Sequence, residues 1–159
     1  MSAGRPLNVS SGGPFNSYLS GGLIGASGQT LWLSFLIRVD NSNGQTNAII
    51  LNNNSSGNSW LTNSSDDIGI GYLIGYGGSA YWGLMYNNGT PVLSTVPVTQ
   101  GQTTLLLAEV TFGSTNVINL YVNPTSLGGP APSTPSATIS TTWQCSLPVS
   151  GLSGRLWHQ

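Results

Sequence analysis

Charged residues are almost missing from this chain of 159 residues, and lysine is missing altogether. Asp, Glu, Lys and Arg together make up 4% of the sequence, against roughly a quarter in ordinary soluble proteins. Three arginines cannot form the basic surface that neutralises nucleic-acid phosphates or draws a protein to an anionic membrane. The composition therefore predicts no nucleic-acid partner and no electrostatic membrane partner.

Histidine and cysteine are equally scarce, with only His158 and Cys145 in the chain. One cysteine excludes an intramolecular disulfide and a zinc site built from several thiolates. One histidine, next to the last residue, is a poor basis for a catalytic triad or a multi-histidine metal site. The sequence therefore requires no cofactor of these kinds, and we expect Cys145 to be a small apolar side chain.

The N-terminal residues MSAGRPLNVSSGGP lack the apolar core of a signal peptide. The lysine-free composition, rich in Asn, Ser, Thr and Gly, is nevertheless more typical of secreted bacterial and extracellular modules than of cytosolic enzymes. We expect an extracellular protein whose leader is not part of this sequence. Residues 1–159 are expected to form a single domain, complete or excised from a larger secreted protein.

Short strands separated by turn-rich loops are predicted along the chain, because no segment shows helical periodicity. The segment 30–40 places alternate apolar residues on one face and further apolar residues on the other, which predicts a central strand. The clearest hairpin joins 103–112 to 116–123 around the turn GST. Such a series predicts an all-β fold, a two-sheet antiparallel β-sandwich of the jelly-roll type.

Three further predicted strands lie at 47–51, 91–98 and 137–141. The segment 91–98 is expected at a sheet edge, because its prolines cannot donate hydrogen bonds to a neighbouring strand.

The uncharged segment IGIGYLIGYGGSAYWGLMYNNG (68–89) is long enough to span a membrane, but its seven glycines and its GGS turn predict a hairpin instead. The predicted arms are 68–76 and 80–86. One face of each arm carries bulky side chains. On the first arm these are the alternate residues Ile68, Ile70, Tyr72, Ile74 and Tyr76. The opposite face is lined by glycine, where a ligand or another backbone can approach closely.

The segment LLLAEVTFGSTNVINLYVNPTSLGGPAPSTPSATI resembles the laminin-G-like, concanavalin A-like jelly-roll domains of secreted bacterial proteins. GQTLWLSFLIRVD and YWGLMYNNG are similar to an earlier core strand and the middle strand of that family, so the resemblance covers about 28–139. It implies two antiparallel sheets face to face, with the chain termini close together on one edge. The family includes lectins, carbohydrate-binding modules, adhesion domains and some glycanases, so it implies no single function.

The four acidic residues do not form the paired-carboxylate motif of glycanases of this fold. Asp66 and Asp67 are adjacent, so on a strand they would point to opposite faces. Glu109 is expected to be a solvated carboxylate or the partner of Arg38. We therefore predict a protein that is not an enzyme, with a glycan-active hydrolase as a further alternative.

A calcium site is a second hypothesis for the acidic residues. Ca²⁺ prefers six to eight hard oxygen ligands, and the segment NSSDD offers Asn63, Asp66 and Asp67. The alternative is a turn in which these side chains bond to their own backbone.

Aromatic and neutral polar residues are abundant, and these are the groups that bind sugars by stacking and by hydrogen bonding. Trp60 stands in a polar loop, whereas Trp32 lies in a strong core strand and is expected to pack. The predicted ligand-binding residues are Trp60, Tyr76, Tyr81, Trp82, Tyr86 and Asn87.

The sequence thus predicts a non-catalytic carbohydrate-binding module whose partner is a polysaccharide or other glycan. The alternative is a structural or adhesive subunit that self-assembles into an extracellular fibre or particle. Homo-oligomers and neighbouring domains of a larger chain are further expected partners.

Overall fold

The computed structural model describes ten stretches of the chain, namely residues 2–5, 12–21, 23–41, 44, 46–51, 67–77, 79–125, 129–130, 132–142 and 154–157. Within these stretches the chain forms strands and two short 3-10 turns, at Asn16–Tyr18 and Ile74–Tyr76. The strands are β1 (Ser2–Arg5), β2 (Leu19–Ser20), β3 (Leu23–Ile24), β4 (Thr30–Arg38), β5 (Asn47–Leu51), β6 (Ile68–Tyr72), β7 (Tyr81–Tyr86), β8 (Val92–Pro97), β9 (Thr103–Thr111), β10 (Asn116–Val122), β11 (Ala137–Thr141) and β12 (Gly154–Trp157).

Two antiparallel sheets make up the body of the fold. The larger sheet has the strand order β1-β12-β5-β6-β7-β8, and the smaller has the order β11-β10-β9-β4. A two-stranded hairpin, β2-β3, precedes β4. The predicted all-β, two-sheet antiparallel sandwich is confirmed.

Side chains from the inner faces of both sheets form one hydrophobic core. The smaller sheet contributes Leu106, Ala108 and Val110 from β9, where buried residues alternate with partly exposed ones. The larger sheet contributes residues such as Ile70 and Leu84, both fully buried. Burial of each large aliphatic side chain contributes about 1.5–3 kcal/mol, so this shared core holds the sheets face to face.

The predicted strands in 30–141 are found, but the position of β4 in its sheet differs from the prediction and the first arm of the 68–89 hairpin is shorter. The inner face of β4 carries Leu31 and Ile37 in the core as expected, but the strand lies at the edge of the smaller sheet and not at its centre. The prediction failed because apolar residues on both faces were taken to mean burial on both faces. On the outer face, Trp32 and Leu36 are exposed. The edge position predicted for β8 is confirmed.

The two ends of the described chain meet in the larger sheet. The backbone of β1 pairs antiparallel with β12, with Ser2 opposite Trp157 and Arg5 opposite Gly154. The proximity of the termini that the family resemblance implied is therefore found here.

The segment 68–89 forms a hairpin of β6 and β7, with Ile70 opposite Leu84 and Tyr72 opposite Trp82. All four of these side chains lie in the core, so the predicted bulky face is confirmed. The first arm is shorter than predicted. It ends at Tyr72, and the chain turns through Ile74–Tyr76 to Gly77, whose φ of 79° is left-handed.

The glycine-lined face of this hairpin is filled by the protein itself. A Cβ on Gly71 would lie 2.5 Å from the carbonyl oxygen of Asn47, and one on Gly83 would lie 2.9 Å from that of Val92. A second buried cluster, formed by Ala48, Ile50, Leu73 and Met85 with Tyr76 packed against it, involves residues of the same region. Of the two alternatives for this face, the structure shows close approach by backbone.

No helix within the described residues is long and apolar enough to cross a membrane.

Candidate functional site

The outer face of the smaller sheet carries a row of polar and aromatic side chains that crosses all four strands. Strand register places Trp32 of β4 opposite Glu109 of β9. Glu109 lies opposite Asn119 of β10, which in turn lies opposite Thr138 of β11. We call these four residues the polar row.

Hydrogen bonds connect three members of the polar row, and each donor in this chain lies nearer to β11 than its acceptor does. The Thr138 hydroxyl donates to Asn119 Oδ1 at 2.7 Å. Asn119 Nδ2 donates to Glu109 Oε2 at 2.9 Å. The Tyr121 hydroxyl donates to the same carboxylate oxygen at 3.0 Å. These bonds fix the side chains before any ligand arrives.

Trp32 stacks on Tyr121 above this network. The ring centroids are 5.9 Å apart and the planes differ by 24°, an offset geometry that aromatic pairs favour. Tyr121 is 4% exposed and Trp32 is 40% exposed. The tyrosine is thus a covered support, and the tryptophan keeps part of its surface in water.

Tyr121 is held in its neutral, hydrogen-bond-donating form. The pKa of its hydroxyl is raised from 10.0 to about 12, first by burial and then by the hydrogen bond to Glu109 and the negative charge of that carboxylate, against a smaller lowering by Asn119. The phenol therefore remains a donor to Glu109 throughout the neutral and moderately alkaline range.

Arg38 does not pair with Glu109, contrary to the expectation. Arg38 Nε bonds to Asp40 Oδ1 on the surface at the end of β4. Register explains the difference, because Arg38 lies opposite Thr103, six positions along β9 from Glu109. At about 3.3 Å per residue this separates them by about 20 Å.

The structure does not gather the predicted aromatic residues into one site. Trp82 is 1% exposed and belongs to the core, so its ring is covered by the protein itself. Tyr86 packs partly buried against the same core, and Tyr76 packs against the second cluster. Burial, followed by the charge of Asp67, raises the pKa of Tyr76. Tyr81, 39% exposed at the start of β7, is the accessible member.

Two hydrogen bonds join Asn87 to Asp67 at the end of the β6-β7 hairpin. The Asp67 amide donates to Asn87 Oδ1 at 3.0 Å, and the Asn87 amide donates to the Asp67 carbonyl at 2.8 Å. Asn87 adopts a left-handed φ of 51°. The side-chain oxygen of Asn87 therefore helps to close the hairpin, and its predicted contact with a ligand stays a prediction.

Trp60, Asn63 and Asp66 lie outside the described residues. Asp67 is fully buried. Among the residues that the structure describes, no three His, Cys, Asp or Glu side chains come together as a metal-binding group. The calcium hypothesis therefore stays a prediction.

Sequence reasoning did not identify the polar row. Trp32 was expected to pack, yet it is 40% exposed, and Glu109 was expected to be solvated or paired with Arg38. The available signal was the alternation of side chains along each strand, which puts every second residue on the same face. The missing information was the register that aligns these strands.

The chain matches no protein-family model, no curated protein and no solved structure.

Proposed function

We propose that this protein binds a neutral glycan on the outer face of the smaller sheet. The observation that carries the proposal is the polar row, with a partly exposed tryptophan at one end and a fixed chain of hydrogen-bonding groups beside it. None of the six ligand-binding residues predicted from the sequence belongs to the polar row.

The aromatic end of the row suits the apolar face of a sugar ring. Trp32 is held nearly parallel to Tyr121, so little side-chain freedom remains to be lost when a ligand stacks on it. A preorganised platform binds more tightly than a mobile one, because ordering costs are avoided.

The polar end of the row suits sugar hydroxyls, which both donate and accept hydrogen bonds. Within the row, Asn119 uses one amide proton towards Glu109 and Thr138 uses its proton towards Asn119. An amide has a second proton, a hydroxyl has two lone pairs, and a carboxylate has a second oxygen. The row can therefore offer donors and acceptors side by side.

Charge favours a neutral glycan over an anionic one. Glu109 is the one charged member of the polar row, and Arg38, the nearest described cation along the sheet, is paired with Asp40 at the far end of β4. An anionic polysaccharide would meet a carboxylate without a neighbouring cation to offset it.

A non-catalytic role is part of the proposal. Hydrolysis by paired carboxylates needs two carboxyl groups about 5–9.5 Å apart. Of the acids that the structure describes, Asp40 lies at the far end of β4 and Asp67 is buried beside the larger sheet. The sandwich fold and the resemblance to concanavalin A-like domains support a lectin-like module in an extracellular protein.

Polysaccharide pull-down and a glycan array test the proposal directly. Insoluble polymers such as cellulose, chitin and xylan are incubated with the protein in calcium and in EDTA, and the retained fraction is measured. We expect retention by at least one neutral polymer, weakened by Asn119→Ala and by Thr138→Ala. Ser140→Ala, on the same strand as Thr138 but outside the row, is the control. Absence of binding to every neutral polymer and array glycan contradicts the proposal.

A further inference from the structure

Among the residues that the structure describes, the strand β4 forms a long sheet edge without the features that usually prevent edge pairing. The opposite edge of the same sheet, β11, is five residues long, and the edge strand β8 ends at Pro97 and follows Pro91. β4 runs for nine residues without proline, and Arg38 at its end is its one charge. Natural proteins shorten, charge or interrupt exposed edges to avoid association, so an edge left open in this way indicates a partner.

The sequence of β4 is self-complementary about its central residue, Ser34. In an antiparallel pair of two β4 strands centred there, Leu33 would lie opposite Phe35 of the other copy. Trp32 would lie opposite Leu36, and Leu31 opposite Ile37. Each contact then occurs twice, as two-fold symmetry requires, and every apolar residue of the strand faces an apolar residue.

The exposed surface of β4 agrees with this arrangement. Leu36 is 71% exposed and Trp32 is 40% exposed on the outer face. On the inner face, Leu33 and Phe35 pack against the core but remain only partly buried. Pairing of two edges would remove apolar surface from water on both faces of the strand, which favours association.

Electrostatics does not oppose the contact. In the same register Arg38 would face Thr30 of the other copy, so the two arginines lie at opposite ends of the interface. The whole chain carries a formal net charge of −1. Two copies therefore approach with almost no mutual repulsion.

We infer that β4 pairs antiparallel with β4 of a second copy, about a two-fold axis through Ser34, to form a homodimer with a continuous eight-stranded sheet. The two polar rows then lie on the same side of this sheet. The dimer is argued from the edge strand and does not require that the row binds a glycan, although Trp32 belongs to both surfaces.

Sedimentation velocity across a concentration series tests the dimer, with Ser34→Lys as the disrupting variant. Ser34 is exposed, so a single copy tolerates the lysine, whereas the dimer would place two ammonium groups directly opposite each other. We expect a concentration-dependent dimer whose dissociation constant rises about tenfold or more in the variant. Ser140→Lys, an equal change on the exposed face of the other edge, leaves the dimer intact. Circular dichroism confirms that both variants are folded.

Disulfide trapping tests the register independently. In a Cys145→Ser background, Ser34→Cys should form a covalent dimer on mild oxidation, because directly opposite residues of an antiparallel pair bring their Cβ atoms about 4.5–5.5 Å apart. Ser140→Cys should not. A monomer at every concentration, a dimer insensitive to Ser34→Lys, equal effects of the two lysines, or equal cross-linking at the two positions would each overturn the inference.

Discussion

The indole of Trp32 on β4 lies nearly parallel to the phenol of Tyr121 on β10, although β9 runs between these strands. Tyr121 is 4% exposed, whereas Trp32 keeps 40% of its surface in water. Because the Tyr121 hydroxyl also donates to Glu109, one residue joins the aromatic and the polar parts of the site.

Replacement of Trp32 should show whether the glycan binds on the smaller sheet, where Trp32 is exposed, or on the larger sheet, where Tyr81 is exposed. Trp32→Ala removes the platform of the polar row, so we expect glycan affinity to fall about tenfold or more, equivalent to about 1.4 kcal/mol or more. Tyr81→Ala is the matched control, because Tyr81 has nearly the same exposed fraction but lies on the larger sheet. Isothermal titration or affinity electrophoresis gives the comparison. Loss of affinity in Tyr81→Ala alone would place the site on the larger sheet.

The ionisation of Tyr121 should respond to Glu109. Its pKa is raised to about 12, by burial first and then by the hydrogen bond and charge of Glu109. Glu109→Gln should therefore lower the pKa of Tyr121 without returning it fully to 10.0, because burial remains. Absorbance at alkaline pH, with Tyr121→Phe subtracted to isolate one residue of six, measures the shift. Asp40→Asn, which removes a distant exposed carboxylate, should leave the pKa unchanged.

The same pKa gives a direction for stability against pH. The folded protein holds the Tyr121 proton more tightly than the unfolded chain does. This contribution is complete below about pH 10 and is lost as the pH rises through about 12, because only the unfolded state releases the proton in that window. Urea denaturation at a series of alkaline pH values should show a shallower decline for Tyr121→Phe than for the unmodified protein. Equal declines would show that Tyr121 is not protected in the folded state.

Asn87 should stabilise the β6-β7 hairpin through both its side chain and its backbone. Asn87→Ala loses the bond from the Asp67 amide and places alanine at a left-handed φ, so we expect the free energy of unfolding to fall by about 1–3 kcal/mol. Asn87→Gly adopts the same left-handed φ without strain, so it should lower the free energy of unfolding by about 1 kcal/mol. Urea denaturation measures both variants. Asn88→Ala, at the exposed neighbouring position, is the control. Equal losses of unfolding free energy in Asn87→Gly and Asn87→Ala would contradict the contribution of the left-handed backbone conformation.

Gly71 should not tolerate a side chain. At φ 148° an added Cβ would lie 2.5 Å from the Asn47 carbonyl oxygen and 2.8 Å from the Ala48 Cα, and neither backbone atom can move without breaking the β5-β6 pairing. We expect Gly71→Ala to lower the free energy of unfolding by about 3 kcal/mol or more. Gly28→Ala has an unfavourable φ of 82° but open space around the new Cβ, and should cost about 1 kcal/mol. A thermal or urea transition unchanged in Gly71→Ala would show that the strands are not held this closely.

The sequence by itself predicted the strands from β4 to β11 and which of their residues share a face, but it did not predict β1, β2 or β3. Alternation of apolar and polar residues in β9 and β10 predicted which side chains enter the core, because side chains on a strand point to opposite faces in turn. The same rule correctly placed Ile70 and Trp82 on the packed face of the hairpin. The composition, with 4% charged residues, also predicted that nucleic acids and anionic membranes are not partners.

Only the tertiary structure decided which strands are neighbours, and therefore which side chains meet. Trp32 and Tyr121 are far apart in the sequence, and no local pattern gives the register that brings β4, β9 and β10 together. The glycines of 68–89 suggested room for a ligand, but room beside a strand is filled by whichever strand pairs there. Burial of Trp82 and exposure of Trp32 likewise depend on whether a second sheet covers the face, which is a property of the assembled sandwich and not of either strand.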